Sequence, residues 1–123
     1  MSSTIKIAVD AMGGDNSPKK IIDGIINHHS SNKDVFYKIF GDENKINIHL
    51  NNKISNSCYE IVNTNKKVSS EDSPLEAAKR GKNTSMWLAI DSVKRKDCDV
   101  VISAGNTGAL LVIAKLNLKM IEN

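Results

Sequence analysis

Two apolar periods take turns along this chain, one of two residues and one near 3.6, and their alternation predicts a succession of short strands and helices. Residues 5–9, IKIAV, form a β-branched run that stops at Asp10. Ala11-Met12-Gly13-Gly14-Asp15 follows as a loop, and a helix start is marked by Ser17 as N-cap and Pro18 at the first helical position, where a missing N–H does no harm. Ile21, Ile22, Ile25 and Ile26 then share one helical face, and the helix is expected to end near His28, His29 and Ser30. A second strand over 35–40 closes on Gly41-Asp42, and a weaker helix over 43–51 carries Ile46 and Leu50 four apart. An Asn-rich loop over 51–57 leads to a third strand at 59–62, a polar connection at 68–73 and a short helix at 74–79. A strongly marked helix runs from Thr84 or Ser85 to Lys96, with Met86, Ala89, Ile90 and Val93 as its buried stripe and Lys94, Arg95 and Lys96 against the negative end of its dipole. The β-branched run at 100–102, read as the central strand, then enters Ser103-Ala104-Gly105-Asn106-Thr107-Gly108. From Thr107 onward the pattern is helical and apolar nearly all round.

Strands alternating with helices predict an α/β fold, Rossmann-like in layout: one mainly parallel sheet with helices on both faces and right-handed crossovers. The length suits one domain, residues 1–123. In such sheets the ligand crevice lies beyond the carboxyl ends of the strands. Both glycine-rich loops, after Val9 and after Ile102, leave strands at that end, and if their strands are neighbours the loops share one mouth.

The second loop is a candidate anion cradle. Gly105 and Gly108 let the backbone bend sharply and let N–H groups face a ligand without a Cβ in the way. A helix opening there adds unpaired donors and the positive end of its dipole, with Asn106, Thr107 and Ser103 as side-chain donors. The spacing is neither GxGxxG nor GxxxxGK[ST], so a glycine-rich βα turn without a ligand stands beside this reading.

Composition narrows the classes. Seventeen Lys and Arg against fourteen Asp and Glu leave a charge of +3, spread along the chain, and one Trp, two Tyr and two Phe offer little for base stacking, so no nucleic acid is expected as a partner. Cys58 and Cys98 have no CxxC and no histidine at ligand spacing; they read as reduced thiols, with no metal site. Asp10 interrupts the apolar start that a signal peptide needs, and the apolar run at 109–114 is far short of the roughly 20 residues of a membrane-spanning helix, so a cytoplasmic protein is expected.

Three stretches in order, AVDAMGGDNSP, DSPLEAAKRGKNTSM and VISAGNTGALL, resemble the bacterial phosphate acyltransferases, the acyl-acyl-carrier-protein:phosphate acyltransferases of phospholipid synthesis. The resemblance covers almost the whole chain, and three motifs in register are far more specific than any one of them. Chains of that family are considerably longer and carry further motifs downstream, so the resemblance implies the N-terminal part of a longer catalytic domain. It also implies an architecture similar to the phosphotransacetylase and isocitrate dehydrogenase-like enzymes.

What the resemblance implies about chemistry is transfer of a long-chain acyl group from acyl-carrier protein to inorganic phosphate, giving acyl-phosphate, with no metal or organic cofactor. On that footing Asn106 and Thr107 are the candidate catalytic residues. Ser103, Gly105, Gly108, Asp10, Gly13, Gly14, Asp15, Arg80, Lys82 and Ser85 are candidates for phosphate binding. Bland roles stand beside these. Asp10 and Asp15 suit a turn or a helix cap, Ser85 can cap its helix, and Arg80 and Lys82 can stay solvated. The resemblance further implies a homodimer and loose attachment to the inner face of the membrane, where the next enzyme, a glycerol-3-phosphate acyltransferase, sits. Lys94, Arg95 and Lys96 are an available basic patch for the acidic carrier.

The remaining chemistry-bearing residues read as structural. His28, His29 and His49 have no nucleophile partner in sequence, and His28-His29 are expected to form a solvated helix end. Cys98 is expected to be a small buried residue and Trp87 a packing residue. Two other functions fit the same anion turn: a short-chain phosphotransacylase using acyl-coenzyme A, and a non-catalytic phosphate- or nucleotide-binding half-domain.

Overall fold

The computed structural model describes residues 4–14, 17–68, 72–79, 83–103, 105 and 107–118. Four strands, β1 (Ile5–Asp10), β2 (Val35–Gly41), β3 (Tyr59–Asn63) and β4 (Val100–Ser103), form one sheet in the order β3-β2-β1-β4 with every neighbouring pair parallel. Between and after them lie α1 (Lys19–Ser31), α2 (Glu43–Leu50), α3 (Pro74–Lys79), α4 (Ser85–Lys94) and α5 (Thr107–Leu118). This is the α/β fold that the alternating periods predict, with parallel strands joined through helical crossovers.

The two-residue period of the strands divides the core between two faces. Ile7 and Val9 of β1, with Tyr37 and Ile39 of β2, pack under Ile22 and Ile25 of α1 and Ile46 and Leu50 of α2. Ala8 and Phe40 point the other way, against Ala89 of α4 and Cys98. Val101 of β4 meets the cluster of Met86, Ile90 and Ile113, which joins α4 to α5. Asp10 follows Ala8 by two positions and so faces α4.

Local chemistry sets the helix ends. Asp42 caps α2 by accepting from the Asn44 and Lys45 amides at 3.1 and 3.2 Å, and Asn51 ends it in the left-handed conformation that asparagine tolerates, φ 39°. Thr84, not Ser85, caps α4, accepting from the Trp87 amide at 3.2 Å. Ser17 does not cap α1. The helix begins after Pro18, and the Ser17 hydroxyl donates back to the carbonyls of Gly13 and Gly14, tying the loop to itself.

Two expectations are corrected. The 100–102 run is not the central strand: β1 takes the middle beside β2, and β4 stands at the edge of the described sheet, with Val100 and Ile102 half exposed. A β-branched run suits an edge strand as well as a central one: Val101 packs on the α4 side, and the other face of β4 stays half exposed. The end of α1 is solvated at His28, as expected, but not at His29. Its last turn packs over β2, so His29 is buried and both rings meet Tyr37 edge-on, with the Tyr37 hydroxyl 2.6 Å from His28 Nδ1.

Candidate functional site

β1 and β4 are register neighbours, with Asp10 opposite Ser103, so the two glycine-rich loops leave adjacent strands at the same end of the sheet. They do more than share a rim. A Cβ added to Gly13 would lie 2.9 Å from both the Cα and the amide nitrogen of Gly105, and one added to Gly105 would lie 3.0 Å from the Gly13 Cα. Real side chains essentially never approach backbone as closely as 2.9 Å, so this contact requires glycine at 13 and leaves little room for a Cβ at 105. Met12 holds the first loop from the other flank: a Cβ on Gly41 would meet its Cγ and Sδ at 2.8 and 2.9 Å. The Ala11 amide donates to the Phe40 carbonyl at 3.0 Å, and Gly14 takes φ 84°.

Asp10 sits beneath this contact, 1% exposed. Its Oδ1 accepts from the Ser85 hydroxyl at 2.6 Å and the Met12 amide at 3.1 Å, and its Oδ2 accepts from the Ser103 hydroxyl at 2.9 Å. The Ser103 oxygen in turn accepts from the Gly105 amide at 3.2 Å. Burial pushes the Asp10 carboxyl above its ordinary range, while hydrogen bonds from Ser85, Ser103 and the Met12 and Gly13 amides pull it back. The end of β1, the start of α4 and the end of β4 therefore converge on one carboxylate.

The sequence-predicted residues separate accordingly. Asp10, Gly13, Ser85, Ser103 and Gly105 come together in one place. Gly14 belongs to the same loop, and Gly108 lies in the first turn of α5. Asp15, Arg80, Lys82 and Asn106 lie outside the described residues, as does the side chain of Thr107. The hydroxyl hydrogens of Ser85 and Ser103 are engaged by Asp10, and the Gly105 N–H by Ser103, so these three donors are not free for an anion. Ser85 does not cap its helix either; Thr84 does. Sequence reasoning missed the convergence on Asp10, and its one legible signal was that two hydroxyl residues, Thr84 and Ser85, stand where a single cap suffices.

A groove of about 540 Å³ runs beside α1 on the face of the sheet opposite Asp10, lined by Ile7, Val9, Ile21, Ile25 and Ile102 and reaching Gly14 of the first glycine loop. Lys94 and Lys96 are exposed at the far end of α4, about 14 Å along its axis from Ser85. Arg95 pairs there with Asp91 at 3.1 Å and Asp97 at 3.6 Å. Among the described residues no helix is long and apolar enough to cross a membrane, and no group of three His, Cys, Asp or Glu side chains is placed to hold a metal ion.

Comparison with known proteins bears on what this junction serves. The family described as "Fatty acid synthesis protein" matches residues 5–123. A phosphate acyltransferase of Pelagibacter ubique (strain HTCC1062) is 69% identical over 123 residues, covering 100% of this chain and 37% of the relative. Phosphate acyltransferases of Listeria innocua and Streptococcus thermophilus are 49% and 48% identical over 107 and 105 residues, covering 87% and 85% of this chain and 31% and 30% of theirs. The chain thus spans about a third of the length of the curated relatives it matches. A match over 5–123 together with 69% identity along the whole chain leaves one conclusion: the chain belongs to the fatty acid synthesis protein family, alongside phosphate acyltransferases.

Proposed function

We propose that this chain forms the phosphate-handling part of an enzyme that moves a long-chain acyl group from acyl-acyl-carrier protein to inorganic phosphate, giving acyl-phosphate for phospholipid synthesis. The observation that carries the reading is the backbone contact between Gly13 and Gly105, which brings two loops to one mouth at the carboxyl end of a parallel sheet. The relatives' names supply the substrate class, phosphate and an acyl group.

In the proposed reaction a phosphate oxygen adds to the thioester carbonyl carbon, and the carbonyl electrons move onto its oxygen. That oxyanion collapses, the carbon–sulfur bond breaks, and the thiolate leaves and takes up a proton. The protein holds an anionic nucleophile beside the carbonyl and offers donors where charge develops. Because the Gly105 amide is already bonded, the backbone anion donors are assigned to Thr107 and Gly108 at the opening of α5. Asn106 and Thr107 supply side-chain donors, Gly14 open backbone, and Arg80 and Lys82 positive charge. The working assembly is a homodimer in the cytoplasm at the inner face of the membrane.

The test is kinetic. This chain replaces the 123 matching residues of the Pelagibacter ubique relative, and acyl-phosphate formation is followed with acyl-carrier-protein and acyl-coenzyme A donors. Asn106→Ala and Thr107→Ala are each expected to lower the rate about 10²–10³-fold, the usual cost of removing a donor aimed at reacting charge. Unaltered phosphate dependence in both variants overturns the assignment. Faster turnover with a short-chain acyl-coenzyme A replaces the donor named here.

A further inference from the structure

Asp10 is badly suited to touch phosphate. It is buried, its oxygens already accept from Ser85, Met12 and Ser103, and a carboxylate beside a phosphate anion repels it. What it does instead is visible in a relay: the Gly105 N–H donates to the Ser103 oxygen at 3.2 Å, and the Ser103 hydroxyl donates to Asp10 Oδ2 at 2.9 Å. An acceptor-only carboxylate fixes the direction of the Ser103 hydrogen, which leaves the oxygen's lone pairs for the Gly105 amide. The amide is thereby held inward, and Gly105 is pressed against Gly13. The chain leaving Gly105 enters the first turn of α5 two residues later.

We propose that Asp10 is a positioning residue: through Ser103 it fixes the Gly105 turn, and so aims the first amides of α5, those of Thr107 and Gly108, at phosphate, without itself contacting the anion. This rests on the phosphate reading above. Ser85 anchors the other oxygen, which ties the aim of the turn to the N-terminal end of α4. Two independent features support it, the relay and the glycine contact. Each constrains Gly105 from a different side.

The test uses the same chimera of this chain with the Pelagibacter ubique relative, read as KM for inorganic phosphate against kcat. Ser103→Ala removes the relay at a half-buried position that tolerates a smaller side chain. It is expected to raise the phosphate KM about tenfold, the value of one hydrogen bond to a charged group, and to change kcat less. Ser103→Thr, which keeps the hydroxyl, restores the parent KM. In the same variants the Gly105 amide loses protection from hydrogen exchange in Ser103→Ala and regains it in Ser103→Thr. Asp10→Asn decides between positioning and plain charge. Loss of a repelling charge alone lowers the phosphate KM, whereas loss of the fixed acceptor raises it. A lowered KM in Asp10→Asn overturns the proposal, as does an unchanged KM in Ser103→Ala with the Gly105 amide exposed. If Asn106→Ala and Thr107→Ala alter phosphate dependence while the Asp10 and Ser103 variants do not, only the positioning role fails. If none of the four does, the phosphate reading fails with it.

Discussion

The Ser85 hydroxyl donates to Asp10 Oδ1 at 2.6 Å across 75 positions of sequence, both groups buried. This bond joins the last residue of β1 to the first residue of α4. Hydrogen bonds to charged groups contribute about 1.5–3 kcal/mol, and their loss leaves a buried acceptor short of a partner. Ser85→Ala is therefore expected to destabilise the fold by about 1.5–3 kcal/mol, measured by the shift of the urea midpoint. Thr84→Ala, which removes an N-cap, is expected to cost about 1 kcal/mol. A smaller loss for Ser85→Ala than for Thr84→Ala would contradict the importance given to the Asp10 junction.

Gly13 and Gly105 form a contact with no room for a Cβ on Gly13 and little for one on Gly105. Gly13→Ala must push backbone rather than a flexible side chain and is expected to destabilise by about 1–3 kcal/mol, as overpacking does. Gly24 is the internal comparison, since a Cβ there meets nothing within 4 Å and the residue lies inside α1. Gly24→Ala is expected to stabilise by about 0.4–1 kcal/mol through helix propensity and unfolded-state entropy. Thermal or urea unfolding of the two variants side by side gives opposite signs if the loop contact exists in solution.

The raised pKa of Asp10 has a sign for stability. Its ordinary value is 3.8, and burial is the largest influence lifting it in the fold. Between the two values the folded chain holds more protons than the unfolded one, so the Asp10 contribution to stability falls as pH rises from 3.8 through the raised value. It then stays constant. Asp10→Asn removes this titration, so the stability of the parent relative to the variant is expected to decline across that window. Urea midpoints taken at steps of pH from below 4 to neutrality measure it; a parent-minus-variant difference that rises with pH would reverse the assignment.

The layering of the sheet was legible because period-two runs at Ile5–Asp10 and the isoleucines of α1 carry their own signals. The position of β4 was not. A run of three β-branched residues is equally compatible with a covered strand and an edge strand, and only pairing distinguishes them. The adjacency of the two glycine loops could be framed from sequence as conditional on β1 and β4 being neighbours, which they are. The Asp10 junction left only one local signal, the doubled hydroxyl of Thr84 and Ser85. Ser85 and Ser103 read as possible anion donors because a serine's partner, when it lies 75 or 93 positions away, leaves no mark on its own neighbourhood. For the same reason His29 looked like a surface residue at a helix end, although the turn that carries it lies over Tyr37.

Tyr37 and His28 offer a check on that corner. Their 2.6 Å hydrogen bond is only partly buried, so Tyr37→Phe is expected to cost about 0.5–1.5 kcal/mol, read from the denaturation midpoint. The ring stays in place against α1, so the hydrophobic contribution is retained. A loss well above that range would mean that the hydroxyl holds more than His28.

The most direct measurement is a titration of the isotopically labelled chain with inorganic phosphate, following backbone amide resonances, with chloride at matched ionic strength as the control. One shared mouth predicts that amides in residues 13–14 and 105–108 shift together, with a single dissociation constant, while those near Lys94 and in the last turn of α1 stay still. Shifts confined to one loop, or equal shifts with chloride, would contradict the claim that these two bends receive one anion.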